Sequence, residues 1–284
     1  MDSLVSNVSD TARWVTAHRA KESARPDALF RDPLAERLAG EQGHAIIAAA
    51  PRSIRDGWWL VARTKIIDDL IAQAISQGCD RVLNLAAGLD TRPYRLDLPS
   101  DLVWVEADLP ALVAEKEQLL TDQTPNCQLS RHAVDLADPR ARDTFLTEAL
   151  AGATKAFVLT EGLLMYLTED DVIGLSQAFQ RTEISWWTFD FGSGGVQKTM
   201  NDRTEGMMRN APIKFAPSNG VAFFEQLGWT ASVIDPLLPA ARRFRRLPLL
   251  LRLASLLPQP DPRNPGDKMW STVACLTPSE NSGQ

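Results

Sequence analysis

Three small residues follow a short apolar run in the first third of the chain and mark a place where a ligand could bind. Residues 82–85 are mostly apolar, and Ala86, Ala87 and Gly88 come directly after them. Small side chains at such a turn let a ligand lie close to backbone N–H groups. A dinucleotide would need the pattern GxGxxG at the start of a helix to hold its pyrophosphate. Gly88 stands without the other two glycines and Pro93 follows it, which favours a nucleoside ligand without phosphates, with an ordinary tight turn as the alternative.

Two acids, Glu106 and Asp108, stand at the end of the next apolar run. An acidic side chain at the end of the second strand of a nucleotide-binding sheet can accept hydrogen bonds from both ribose hydroxyls. Either acid could do this, while the other caps a helix that begins near Leu109. The sequence leaves the choice between them open.

Acids also follow the third and fourth apolar runs. Asp135 could accept a hydrogen bond from the adenine amine while Leu136 packs against the ring; capping of the next helix is the alternative for Asp135. Glu161 follows residues 156–159 and precedes Gly162, a position that suits an ammonium group or a reaction centre. Together these acids predict one binding cleft.

The elements that must position these residues alternate between short strands and helices. The strands are predicted at residues 81–86, 102–106, 128–134, 156–159 and 184–189, and the helices at 109–120, 141–151 and 169–182. This alternation predicts a parallel sheet with helices on both faces. Ligands of such sheets bind beyond the carboxyl ends of the strands.

The flanking regions complete a single predicted domain over residues 1–284. Residues 1–57 are expected to form a helical N-terminal cap, in which Asp32 and Pro33 start a helix, and residues 58–191 the cofactor-binding core. A flexible joint at residues 192–195 opens an inserted lid at 192–220. Residues 221–284 then complete the sheet with strands at 230–234 and 271–276. We therefore predict an α/β Rossmann-like fold with a mostly parallel, seven-stranded sheet.

Composition excludes several other classes of protein. The net charge of −6 argues against nucleic-acid binding through phosphates. Three scattered cysteines and three histidines predict neither a disulfide framework nor a metal site. The apolar stretch at residues 247–257 is too short to cross a bilayer, and the N-terminus does not resemble a signal peptide. We expect a cytoplasmic protein with no membrane or nucleic-acid partner.

Several motifs together resemble the leucine carboxyl methyltransferase superfamily. They are residues 84–96 (NLAAGLDTRPYRL), 106–110 (EADLP) and 160–167 (TEGLLMYL), with further similarity at 19–35 and 62–64. The chain is most similar to the bacterial branch of S-adenosylmethionine-dependent O-methyltransferases, which includes polyketide-tailoring enzymes. The resemblance covers about residues 10–230. It implies a class I methyltransferase fold and S-adenosylmethionine as the cofactor.

The resemblance also implies roles for individual residues. Gly88 would lie against the methionine part of the cofactor, and Arg63 would pair with the cofactor's carboxylate. Asp108 would hold the ribose, and Glu161 the amino end. The complete implied cofactor site consists of Arg63, Ala86, Ala87, Gly88, Asp90, Glu106, Asp108, Leu109, Asp135, Leu136 and Glu161. Members of the family commonly have glycine where this chain has Ala86.

The reaction implied is methylation of an oxygen atom of a small molecule, and we favour a carboxylate. A carboxylate is already ionised at neutral pH, so no general base is needed, and no histidine stands out as one. Tyr166, Arg203 and Arg209 are candidates to position the acceptor, although solvated surface charges are the alternative for the two arginines. Phenolic or enolic O-methylation of an aromatic polyketide is the alternative within this class. An NAD(P)-dependent oxidoreductase or a non-catalytic nucleoside binder is the alternative outside it.

Overall fold

The computed structural model describes residues 8–51, 54–204 and 212–279. Within these residues, seven strands form one sheet in the order β3-β2-β1-β4-β5-β7-β6. They are β1 (Arg81–Leu85), β2 (Val103–Asp108), β3 (Gln128–Ala133), β4 (Ala156–Thr160), β5 (Ile184–Gly192), β6 (Trp229–Pro236) and β7 (Ser271–Pro278). Strands β1 to β5 pair in parallel, and β7 runs antiparallel to both of its neighbours. The predicted mostly parallel, seven-stranded α/β fold is confirmed.

Helices cover both faces of this sheet. They are α1 (Val8–Ser23), α2 (Ala35–Ala49), α3 (Trp58–Ser76), α4 (Arg92–Arg95), α5 (Pro110–Leu119), α6 (Pro139–Ala149), α7 (Glu169–Ala178), α8 (Gly194–Thr204), α9 (Ala222–Glu225), α10 (Leu237–Arg243) and α11 (Leu249–Ala254). A short 3-10 turn spans Leu164–Tyr166. Among the described helices, none is both long and apolar enough to cross a membrane.

Two hydrophobic clusters hold the helices against the sheet. Leu83 packs with α6, α7 and α9 on one face, and its neighbour Val82 packs with α3 and α10 on the other. Successive side chains of a strand point to opposite faces, so β1 contributes to both clusters. Because β1 to β5 run in the same direction, their carboxyl ends meet at one edge of the sheet.

Tertiary contacts modify two local expectations from the sequence. Helix α2 begins at Ala35, three residues after Asp32, but Asp32 still caps the turn before it, because its Oδ1 accepts from the Leu34 N–H at 3.2 Å. Its Oδ2 accepts hydrogen bonds from Arg19 Nε at 2.9 Å and Thr91 Oγ1 at 2.7 Å. The stretch after β5 is not a loose joint. Strand β5 continues to Gly192, and the buried Ser193 accepts a hydrogen bond from the backbone N–H of Trp270 at 3.2 Å.

Candidate active site

One large cavity runs along the carboxyl-terminal edge of the sheet. Its volume is about 940 Å³, and it extends from residues 134–137 after β3 to residues 237–238 after β6. This volume lies in the upper part of the range for small-molecule sites, which suits a cofactor together with a second molecule. The cavity lies where the topology of the sheet predicts a ligand.

The turn after β1 forms one wall of the cavity. The φ angles of Ala86 and Gly88 are +56° and +47°, so the backbone is left-handed at both residues. The N–H of Gly88 donates to Asp108 Oδ2, and that of Leu109 donates to Asp108 Oδ1, both at 2.7 Å. Burial raises the pKa of Asp108 more than these two hydrogen bonds lower it. One carboxylate therefore ties the turn after β1 to the end of β2.

Glu106, one of the two predicted ribose ligands, does not line the cavity. It is buried, and its Oε2 lies 2.8 Å from both Lys116 Nζ and Arg131 Nε. These contacts join α5 and β3 to β2. Of the two acids left open by the sequence, only Asp108 faces the cavity.

Asp135 and Leu136 both line the cavity beyond β3. Asp135 is exposed, and its Oδ1 accepts a hydrogen bond from the Ala137 N–H at 3.0 Å. The residue that caps α6 is Asp138, which accepts from the Arg140 N–H at 2.9 Å. Asp138, and not Asp135, therefore caps α6.

A buried ion-pair network centred on Arg63 connects α3 to the ends of β4 and β5. Arg63 Nε lies 2.8 Å from Glu161 Oε1, and its Nη1 donates to Asp190 Oδ2 at 2.8 Å. The other oxygen of Asp190 accepts from the Gly162 N–H at 2.6 Å. Asp190 was missed in the sequence, yet it stands near the carboxyl end of β5, where the rule used for the other acids would have found it.

Arg92 extends this network to the turn after β1. Its Nη1 donates to Glu161 Oε2 and to Asp90 Oδ2, both at 2.7 Å, and its Nε donates to Asp68 Oδ1 at 2.7 Å. Burial opposes ionisation of Glu161, but the guanidinium groups of Arg92 and Arg63 outweigh it and hold the pKa of that carboxyl below its ordinary value. We call this region, lined by Arg63, Asp90, Asp108, Glu161 and Asp190, the polar end of the cavity.

The opposite end of the cavity lies over β5, β7 and β6 and is mainly apolar. Its lining includes Val196, Met200, Ile213, Leu237 and Leu251, which define what we call the apolar end. Ile213 is tied to α8, because its N–H donates to Asn201 Oδ1 at 2.9 Å.

Two of the three residues predicted to position the acceptor line the cavity. Tyr166 is half-buried, and burial raises the pKa of its phenol to about 12. Arg203, on α8, is exposed and lines the cavity as well. Arg209 lies outside the described residues.

Comparison with known proteins agrees with this architecture. The model of the family "Leucine carboxyl methyltransferase" matches residues 12–180. A Streptomyces coelicolor protein is 32% identical over 244 residues, covering 80% of this chain and 84% of its own length, and a Frankia alni protein is 32% identical over 247 residues with the same coverage. Both are provisionally named S-adenosyl-L-methionine-dependent methyltransferases.

Two solved structures share the fold at low sequence identity. A protein from Thermobifida fusca, provisionally named a methyltransferase, superposes with a TM-score of 0.58 and 15% identity over 94% of each chain. A DUF574 family protein from Streptomyces avermitilis gives a TM-score of 0.56 and 15% identity, covering 93% of this chain and 96% of its own. Because the family model matches more than half of the chain and the relatives are 32% identical over most of it, this chain belongs to the leucine carboxyl methyltransferase family and is an S-adenosylmethionine-dependent methyltransferase.

Proposed function

We propose that the protein methylates an oxygen atom of a small molecule, and that this atom belongs to a carboxylate. The observation that carries the cofactor half of the proposal is the contact between Arg63 and Glu161 in the wall of the cavity. A guanidinium beside a carboxylate presents opposite charges a few ångströms apart. This pattern complements the carboxylate and ammonium groups at the amino-acid end of S-adenosylmethionine.

The charge of the whole lining supports the same ligand. Seven acids and five arginines line the cavity among the described residues, so the lining is negative overall. A negative lining favours a cationic sulfonium and disfavours the phosphates of NAD(P). The turn at Gly88 also presents bare backbone to the cavity: its φ is left-handed, and a Cβ atom there would come within 3.3 Å of Ala12 Cβ, so glycine suits the position. The residues present therefore fit the cofactor.

The remaining cofactor contacts follow from the positions of the strand ends. Asp108 would accept hydrogen bonds from the ribose hydroxyls, and Asp135 from the adenine amine, with Leu136 against the ring. The backbone of Ala86, Ala87 and Gly88 would lie along the methionine part. Asp90 and Leu109 line the same wall. Asp190 acts through Arg63 and is a positioning residue.

The chemistry divides simply between cofactor and protein. When bound, S-adenosylmethionine would supply an electrophilic methyl group to an acceptor oxygen, with its sulfur as the leaving group. The protein aligns the two, and its apolar end keeps water away from them. Because the pKa of Tyr166 is raised to about 12, its phenol stays protonated at neutral pH and can donate a hydrogen bond to the acceptor, but it cannot serve as a base.

A carboxylate acceptor fits this arrangement better than a phenol. A phenol must lose its proton, and Asp171 of the cavity lining is a poor base for this. Its pKa is lowered by hydrogen bonds from the Thr168 hydroxyl and N–H. A carboxylate needs no base, only partners for its charge, and Arg203 and Tyr166 can provide them.

The stability of the product to base tests the proposal. The enzyme is incubated with methyl-labelled S-adenosylmethionine and with matched aromatic acids and phenols. We expect label in the acids, released by mild base as a methyl ester is, and a rate that stays flat above about pH 5. A base-stable product whose rate of formation rises toward the phenol's pKa of about 10 would instead establish ether formation. Label in neither set of acceptors would contradict small-molecule O-methylation of both kinds.

A further inference from the structure

The surface beside the cavity carries an unusual group of exposed leucines. Seven large apolar side chains are exposed among the described residues, and five of them lie at positions 249–257. They are Leu249, Leu250, Leu253, Leu256 and Leu257, with exposed fractions from 59% to 84%. Contiguous exposed apolar side chains of this kind mark a surface that contacts a partner or a membrane.

The same part of the chain is strongly basic. Residues 237–260 contain five arginines and no acid, in a chain whose net charge is −6. Arg243 is paired with Asp235, and Arg246 with Glu22 and Asp27. The other three, Arg242, Arg245 and Arg252, are exposed and form no ion pair with any acid of the described ranges. We call residues 237–257 the leucine–arginine segment.

Arg245 occupies a backbone position that ordinarily belongs to glycine. Its φ angle is +58°, and it follows the last turn of α10. The Arg246 N–H donates to Ala241 O at 2.8 Å and the Arg245 N–H to Arg242 O at 3.0 Å, which is the hydrogen-bond pattern of a Schellman motif. A left-handed arginine destabilises the fold where glycine would not. The chain therefore carries an exposed guanidinium at a backbone position where glycine would be less strained.

The leucine–arginine segment also borders the cavity. Pro248, Leu250, Leu251 and Ala254 line it, at the end where we place the acceptor. A molecule held against the leucines would therefore lie next to the opening of the apolar end.

We propose that the leucine–arginine segment docks onto an anionic lipid surface. Leucines would enter the boundary between headgroups and acyl chains, and the three unpaired arginines would contact lipid phosphates. Such contact needs no helix that spans the membrane. It revises the expectation from sequence that the chain has no membrane partner, which considered only spanning segments. If the proposed function holds as well, an acceptor whose apolar part lies in the membrane, with its carboxylate at the surface, would reach the cavity directly.

Two other occupants fit the surface less well. A second copy related by a twofold axis would bring the same arginines face to face, with no acid between residues 237 and 260 to neutralise them. A protein partner would need pockets shaped to receive leucines as exposed as Leu250, at 84%. Lipid chains accept such side chains without a matching shape.

Vesicle sedimentation with the full chain tests the proposal. We expect binding to vesicles of phosphatidylcholine and phosphatidylglycerol, weaker binding to phosphatidylcholine alone, and release by salt. Arg245→Gly should lower the partition coefficient about fivefold without lowering the melting temperature, because it removes a charge and relieves the left-handed strain. Leu253→Ser should lower it about tenfold or more. Arg140→Ala, which removes an exposed arginine from α6, is the matched control and should change nothing.

Three results would overturn the proposal. They are no binding to the anionic vesicles, equal binding by the wild type, Arg245→Gly and Leu253→Ser, or a dimer in lipid-free sedimentation that Leu253→Ser dissociates. The last result would assign the surface to a second copy. Calorimetric titration with S-adenosylhomocysteine is run in parallel and should give the same affinity for the wild type and both variants. A failure of the proposed function would thus be seen separately, because partitioning does not depend on methyl transfer.

Discussion

The two ends of the cavity are built from different interactions. At the polar end, Arg63 and Arg92 are buried, and they lie 2.7–2.8 Å from two and three carboxylates respectively. At the apolar end, side chains such as Met200 and Leu237 offer shape and little directional bonding. Buried charges accept only a ligand whose charges match, whereas an apolar wall accepts whatever fills it. In the function proposed above, the polar end would therefore select the cofactor by charge, and the apolar end would select the acceptor by shape.

The strongest test of this contrast removes an acid from the polar network. Asp190→Ala should lower the free energy of unfolding by about 3–5 kcal/mol, because Arg63 would keep a buried charge with one partner fewer. Urea denaturation measures the change. Asp143→Ala is the control, since Asp143 is exposed and 3.9 Å from Arg181, and it should cost less than about 1 kcal/mol. Similar losses in both variants would mean that the polar end is not held by its ion pairs.

Asp108 tests ligand binding at the same end. Asp108→Ala should weaken binding of S-adenosylhomocysteine about 10- to 100-fold, the effect of losing hydrogen bonds to a charged group. Calorimetry gives the affinity. Glu106→Gln is the matched control, because Glu106 lies on the same strand but outside the cavity, and it should leave the affinity unchanged while lowering stability. If the two variants bound equally well, the ribose would not be held by Asp108.

The polar end was the more predictable of the two from sequence. Gly88, Asp108 and Glu161 each follow a buried strand, and parallel topology places all such positions at one edge of the sheet. Strand positions come from local patterns of apolar residues, so the seven-stranded sheet followed from the sequence as well.

What the sequence did not reveal was the pairing between these groups. Arg63 and Asp190 are 127 residues apart, and no local pattern links them. Asp32 shows both kinds of contact. Its position before a proline is a local signal for a helix start, and its Oδ1 does accept from the Leu34 N–H, but the contact of its Oδ2 with Arg19 of α1 has no local signal. The positions of the strands do not predict which residues line the apolar end, because this lining comes from helices and loops after β5.

Arg203 tests the apolar end itself. Arg203→Ala should raise KM for a carboxylate acceptor about tenfold and leave the affinity for S-adenosylhomocysteine unchanged, because a charge-assisted hydrogen bond to the acceptor would be lost at this end alone. Steady-state kinetics and calorimetry together give the result. The other exposed cation of α8, Lys198, does not line the cavity, so Lys198→Ala serves as the control. If Arg203→Ala changed KM for the acceptor and the dissociation constant of S-adenosylhomocysteine by the same factor, the two ends would not be independent.

The smallest expected effect concerns the turn after β1, which forms one wall of the cavity. Ala86 has a φ of +56°, which is unfavourable for any residue with a Cβ atom, so Ala86→Gly should raise the free energy of unfolding by about 1 kcal/mol. The neighbouring Ala87 has no positive φ, and Ala87→Gly should instead lower it by about 0.5–1 kcal/mol through the greater entropy of the unfolded chain. Thermal or urea denaturation of the pair measures both signs. Changes of opposite sign in the free energy of unfolding would place the strain at Ala86. If both variants were destabilised, packing of the Ala86 methyl group would contribute more than its backbone geometry costs.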